Sequence, residues 1–187
     1  MERLLFNFTP ARCGSPAPSF ATGQPDQPLH DPDFPSYHFD VITGLRYRID
    51  LCRRPRFGPG GSELRPGTSR IVDLTHAGKA VRVEMEFNVA TNNYRVSGGA
   101  NFPGAGGDTI GFDAPDTNRD VIMRHIAKQE TINPATRPVW SFAPMPGTSA
   151  LFETGPRARH YAAGLTRPRI EAAGDAPGGC ARFPIRL

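Results

Sequence analysis

Glycine and proline punctuate this chain so densely that long regular elements have little room. There are 20 of each among 187 residues, and hydrophobic residues make up only 38%. Proline fixes φ and removes a backbone donor, while glycine raises the entropic cost of ordering a segment. Many short strands joined by turns satisfy those constraints better than a helical bundle does, and a single domain with ragged ends fits the length. The expected class is α+β (mixed α/β), a layered sandwich of short strands with few helices.

Met1 to Phe8 reads as the last turns of an amphipathic helix, so that residues 1–9 form the tail of an interrupted helix. Pro10 to Pro35 holds seven prolines and is expected to be loop throughout. From 36 to 187 the chain reads as one folded unit. Tyr37–Ile42 and Leu45–Leu51 are predicted strands, and Arg70–Leu74 and Ala80–Val83 are the arms of a hairpin turning at His76-Ala77-Gly78-Lys79. Glu84–Thr91 alternates, with Met85, Phe87 and Val89 on one face, which predicts a strand buried on one side. The clearest helix is Asn118–Gln129, capped by Thr117 with Asp120 completing a capping box, its apolar stripe formed by Val121, Ile122 and Ile126. Trp140–Phe142, Leu151–Phe152, Arg169–Ile170 and Ala181–Leu187 read as strands, with a brief helix near Arg157–Ala162.

The most informative stretch is Phe87 to Asp108, FNVATNNYRVSGGANFPGAGGD. A β-type run delivers Asn92, Asn93, Tyr94 and Arg95 to its C-terminal end. A loop with Gly98, Gly99, Gly104, Gly106 and Gly107 follows around Phe102. Glycines let backbone approach a ligand or take positive φ, aromatic faces stack on planar bases, and amides offer donor and acceptor edges. The plainer alternative is a glycine-rich turn with Tyr94 and Phe102 in the core. Arg95 suits a phosphate or ribose, or an ordinary surface position.

Other chemistries lack their motifs. The net charge of +4 and pI near 9.3 arise from arginines scattered along the chain, with no stripe suited to a nucleic-acid polymer. Cys13, Cys52 and Cys180 show no short pairing, which leaves one bridge plus a free thiol open and argues against a zinc site. Of His30, His38, His76, His125 and His160, none sits in a D-x-H, G-N-H-E or H-x-H pattern. No metal site and no catalytic residue are assigned. Gly147-Thr148-Ser149-Ala150 lacks the second glycine of a nucleophile elbow, and Gly104 to Asp108 lacks the Gly-Lys-Ser/Thr of a P-loop. The apolar N-terminal stretch is too short for a signal h-region, and no segment approaches a membrane span.

Several motifs occur in a telling order: Ser36-Tyr37-His38-Phe39-Asp40-Val41-Ile42-Thr43-Gly44, Tyr47-Arg48-Ile49-Asp50, VATNNYR from Val89 to Arg95, Ala114-Pro115-Asp116-Thr117-Asn118-Arg119, Ile132-Asn133-Pro134 and Trp140-Ser141-Phe142-Ala143-Pro144. From about Phe34 to Pro144 the chain resembles the C-terminal domain of the 5'-nucleotidase family. It is most like the bacterial periplasmic branch acting as 2',3'-cyclic-nucleotide 2'-phosphodiesterase/3'-nucleotidase. The resemblance implies a nucleotide-recognition domain, N-terminally truncated, whose ring Tyr94 stacks on the base. Phe102 stands where other branches place a second candidate ring, although Gly98-Gly99-Ala100-Asn101 here lacks their aspartate. Asp108 stands where relatives place an acid near the nucleoside, and Asn92, Asn93, Arg95, Gly98 and Gly99 complete the substrate-side set.

The implied partners are nucleotides or nucleosides and an upstream metallophosphoesterase domain, which would hold a divalent metal pair. This chain alone is expected to need no cofactor and to be inactive, with neither membrane nor nucleic-acid partner. A periplasmic setting follows from the resemblance, with no signal peptide visible here. The competing expectation is a stand-alone non-catalytic binding module or a truncated inactive reading frame.

Overall fold

The computed structural model describes residues 19–29, 41–58, 62–99, 110–133, 138–165 and 170–187. Among them are eight strands. These are β1 (Gln27–Pro28), β2 (Leu45–Ile49), β3 (Ile71–His76), β4 (Lys79–Ala80), β5 (Trp140–Phe142), β6 (Ser149–Thr154), β7 (Asp175–Ala176) and β8 (Cys180–Arg186). Three α-helical segments accompany them: α1 (Asn93–Val96), α2 (Asn118–Gln129) and α3 (Ala158–Ala162). The strands form two four-stranded mixed sheets, ordered β1-β6-β8-β7 and β4-β3-β2-β5. The architecture is thus α+β, as the sequence predicts.

β2 shows why its sequence becomes a strand. Leu45, Tyr47 and Ile49 are buried while Arg46 and Arg48 face solvent, the alternation of a half-buried sheet. It pairs antiparallel with β3 and parallel with β5. A register shift between Arg46 and Arg48 leaves two β3 residues, Asp73 and Leu74, against Tyr47 alone, a bulge in which Asp73 sits at φ 54° and its carboxylate pairs with Arg48. β3 and β4 are joined through Ala77 and Gly78, both at positive φ (48° and 79°), the geometry that matches hairpin twist.

The main core lies where the two sheets meet. Phe20, Tyr47, Ile49, Leu51, Met145 and Ala150 are buried together, with Ile71, Leu74, Trp140 and Phe142 packed against them. A second cluster seats α3 on β8 through Ala162, Ala181 and Phe183. There Phe152 and Phe183 are directly opposed in the β6–β8 ladder and stack with ring centroids 5.4 Å apart.

Residues 19–29 depart from the all-loop expectation. Gln27–Pro28 runs parallel to β6 as an edge strand, a position where proline's missing N–H can face away from the ladder. Two buried hydroxyls fasten this strap: Thr148 Oγ1 accepts the Gly23 N–H (2.8 Å), and Ser149 Oγ accepts the Asp26 N–H (2.7 Å) while donating to the Asp26 carboxylate (2.9 Å).

Two further expectations need correction. Glu84–Thr91 forms no strand, although Met85, Phe87 and Val89 are more buried than their neighbours, as its alternation required. A cavity of about 260 Å³ beside this segment is lined by residues 41–45, His76 and residues 87–90. Val41 and Ile42 likewise belong to no strand; the rest of Tyr37–Ile42 lies outside the described residues. α2 forms as predicted, with the Thr117–Asp120 capping box intact. Its stripe, however, is not buried: Val121, Ile122 and Ile126 are about half exposed, and no residue of α2 is buried.

Candidate functional site

Six of the predicted site residues fall within one short, capped turn. Asn92 is extended (φ −97°, ψ 162°) and caps α1, its side-chain oxygen accepting the Arg95 N–H at 3.0 Å. The Asn93 side-chain oxygen accepts the Tyr94 N–H at 2.9 Å. The two amides are therefore not the end of a strand: their oxygens turn the backbone, because a short amide side chain competes well for nearby N–H groups. Gly98, at φ 83°, ends the turn, with its N–H bonded to the Arg95 carbonyl (3.2 Å).

This turn presents Tyr94 with 48% of its surface exposed, which overturns the core reading of that ring. The Arg95 guanidinium lies over the ring, 5.1 Å from its centroid, within cation–π range. Arg95 thus contacts the ring as well as offering a charge to a phosphate. Gly99 lies hard against Tyr94 and is not at positive φ. Phe102 and Asp108, like Gly104, Gly106 and Gly107, lie outside the described residues.

The cavity beside this turn was not foreseen from the sequence. It is lined by Ile42, Gly44, His76, Phe87 and Val89 among others, and ends at Ala90, just before the motif's amides. His76 meets Phe87 edge-on, with centroids 5.2 Å apart, which pins the segment leading to Asn92 against the end of β3. The only signal was the apolar alternation through Phe87 and Val89.

No cluster of three or more His, Cys, Asp or Glu suited to a metal ion occurs among the described residues. His125 stands on α2 and His160 on α3, while His30 and His38 lie outside the described residues. Cys52 and Cys180 are free thiols, Cys52 exposed with its Sγ 3.4 Å from Thr22 Oγ1. Cys13 lies outside the described residues. No helix among the described residues is long and apolar enough to cross a membrane.

Residues 20–106, which carry β1 to β4 and the Tyr94 turn, match the model of the 5'-nucleotidase, C-terminal domain. Over that segment, the chain carries the C-terminal domain of the 5'-nucleotidase family. Within that class it is similar to the trifunctional nucleotide phosphoesterase protein YfkN of Bacillus subtilis, 39% identical over 137 residues, covering 73% of this chain and 9% of the relative. It is also similar to the 2',3'-cyclic-nucleotide 2'-phosphodiesterase/3'-nucleotidases of Haemophilus influenzae (38% over 130 residues, 66% of this chain, 20% of the relative) and Salmonella typhimurium (37% over 142 residues, 72% and 22%). The chain thus spans under a quarter of the length of each of these three relatives. No solved structure matches it at a significant level.

Proposed function

We propose that this chain recognises the nucleobase or nucleoside of substrates for a metal-dependent 2',3'-cyclic-nucleotide 2'-phosphodiesterase/3'-nucleotidase of nucleotide catabolism. A separate metallophosphoesterase domain would hold the divalent metals and cleave the phosphate ester. The same reading places the protein in the periplasm. The observation that carries it is Tyr94, a half-exposed ring on a capped turn within the family-matched segment.

The physical division of labour is simple. Stacking on one aromatic contributes about 1–3 kcal/mol per base and tolerates many bases, so Tyr94 supplies affinity without strict base choice. Phe102 and Asp108 are proposed to complete the nucleoside site. Asn92 and Asn93 act mainly by shaping the turn, with their amide nitrogens available to a ligand's acceptors.

The test joins this chain to the catalytic portion of a relative and compares Tyr94→Ala with the parent. KM for 2',3'-cyclic AMP and 3'-AMP should rise several-fold or more, while turnover of bis-p-nitrophenyl phosphate, which has no base, stays near parent level. Equal losses on both kinds of substrate would show Tyr94 to be structural and end this reading.

A further inference from the structure

The adjacent glycines of the motif perform different tasks. Gly98 is at φ 83°, where a side chain is strained whatever the space, and a Cβ there would meet nothing within 4 Å. Its task is to turn the chain. Gly99 is not at positive φ, so its backbone angle does not call for glycine. A Cβ on Gly99 would instead lie 2.3 Å from the Tyr94 carbonyl oxygen and 2.6 Å from both Cδ2 and Cε2 of the ring. Contacts that short do not occur between real atoms, so any side chain at 99 must displace the backbone at Tyr94, its ring, or both.

We propose that Gly99 is a positioning residue for base recognition: its missing side chain creates the seat that fixes the Tyr94 ring. Among the described residues, three contacts bear on Tyr94. Gly99 abuts its Cδ2–Cε2 side, the Arg95 guanidinium lies over it at 5.1 Å, and the Asn93 oxygen holds its backbone N–H at 2.9 Å. A stacking platform is useful in proportion to how little it must be ordered on binding, since each side chain immobilised at that moment reduces affinity. The ligand is a planar heteroaromatic base, as the functional proposal above requires, and the inference rests on that proposal for its binding arm only.

The experiment uses the whole chain with labelled tyrosine rings, followed by NMR while adenosine is titrated in. Tyr94 is identified by Tyr94→Phe, and the buried Tyr47 ring reports that each variant is folded. In the wild type, Gly99 Hα should give a strong cross-peak to the Tyr94 ring protons. Its absence overturns the proposal without any variant. Gly99→Ala should shift the Tyr94 ring signals and weaken adenosine roughly 5-fold or more, the lower end of a lost stacking contact. Gly78→Asn, at a left-handed position of the β3–β4 turn (φ 79°) outside the motif, should do neither. In a Tyr94→Ala background, Gly99→Ala should cause no further loss of affinity; the same loss in that background, or wild-type affinity in Gly99→Ala alone, overturns the positioning role. Should the wild type show no adenosine contact while Gly99→Ala still moves the ring, the base-binding reading falls and the seat stands.

Discussion

The side-chain oxygen of Asn92 accepts the Arg95 N–H at 3.0 Å and so closes the single turn on which Tyr94 stands. With only four helical residues, α1 leans on its cap, because a lone turn fixes many dihedrals for few bonds. Asn92→Ala should therefore cost about 0.5–2 kcal/mol locally. Hydrogen exchange at the Arg95 amide would report it, with protection lost in Asn92→Ala and kept in Asn92→Asp. Unchanged protection in the alanine variant would show that the cap is dispensable.

Ala77 occupies a left-handed backbone position (φ 48°) beside Gly78 (φ 79°) in the β3–β4 turn. Asparagine adopts that conformation more readily than alanine, and Asn-Gly is the favoured pair for such hairpins. Ala77→Asn should stabilise the protein by roughly 0.5–1 kcal/mol, a rise of about 1–4 °C in Tm at this chain length. A thermal melt showing no gain would mean that the turn relaxes in solution.

At the start of α2, Arg124 donates to the Asp116 carboxylate at 2.9 Å, and that hydrogen bond holds the carboxyl below its ordinary value and raises the guanidinium. A carboxyl whose pKa is lower in the folded state stabilises that state above its unfolded pKa of about 3.9 and loses the contribution as pH falls through the folded value. Helicity of α2 should accordingly decline below about pH 4. Carbon-detected titration of Asp116 should give a midpoint below that of an exposed aspartate, and Arg124→Gln should return it to normal.

These elements show what local pattern carries and where it stops. β2 and β5 were legible because alternation or a compact aromatic run between turn signals states both period and length, and α2 because Thr117 and Asp120 mark its first turn. Alternation reports which side chains are covered, not whether a neighbouring backbone comes within ladder distance. Glu84–Thr91 therefore kept its burial pattern without forming a strand. Asn92 and Asn93 were ambiguous because the same short amide ends strands, makes turns and caps helices, and only the Arg95 N–H decides among them. β1 hid inside a proline-rich stretch since its pairing is set by Ser149 and Thr148, more than a hundred residues away.

Ser149→Ala should release that strap. The substitution removes one acceptor and one donor at a nearly buried site, leaving the Asp26 N–H without this partner, at a cost of about 1–3 kcal/mol. Limited proteolysis should then cut within residues 19–29 well before global unfolding. Cleavage no faster than in the wild type would show that the Leu29–Leu151 and Gly23–Thr148 bonds suffice.

The 123-residue separation between Asp26 and Ser149 also has a temporal meaning. During synthesis at about 5–20 residues per second, Asp26 is polymerised roughly 6–25 s before Ser149. Through that interval the strap has no sheet to join, and Phe20, destined for the main core, stays accessible to whatever binds nascent chains. Slowing translation between these two residues should lengthen chaperone association, whereas a circular permutant that brings residue 19 close behind residue 187 should shorten it.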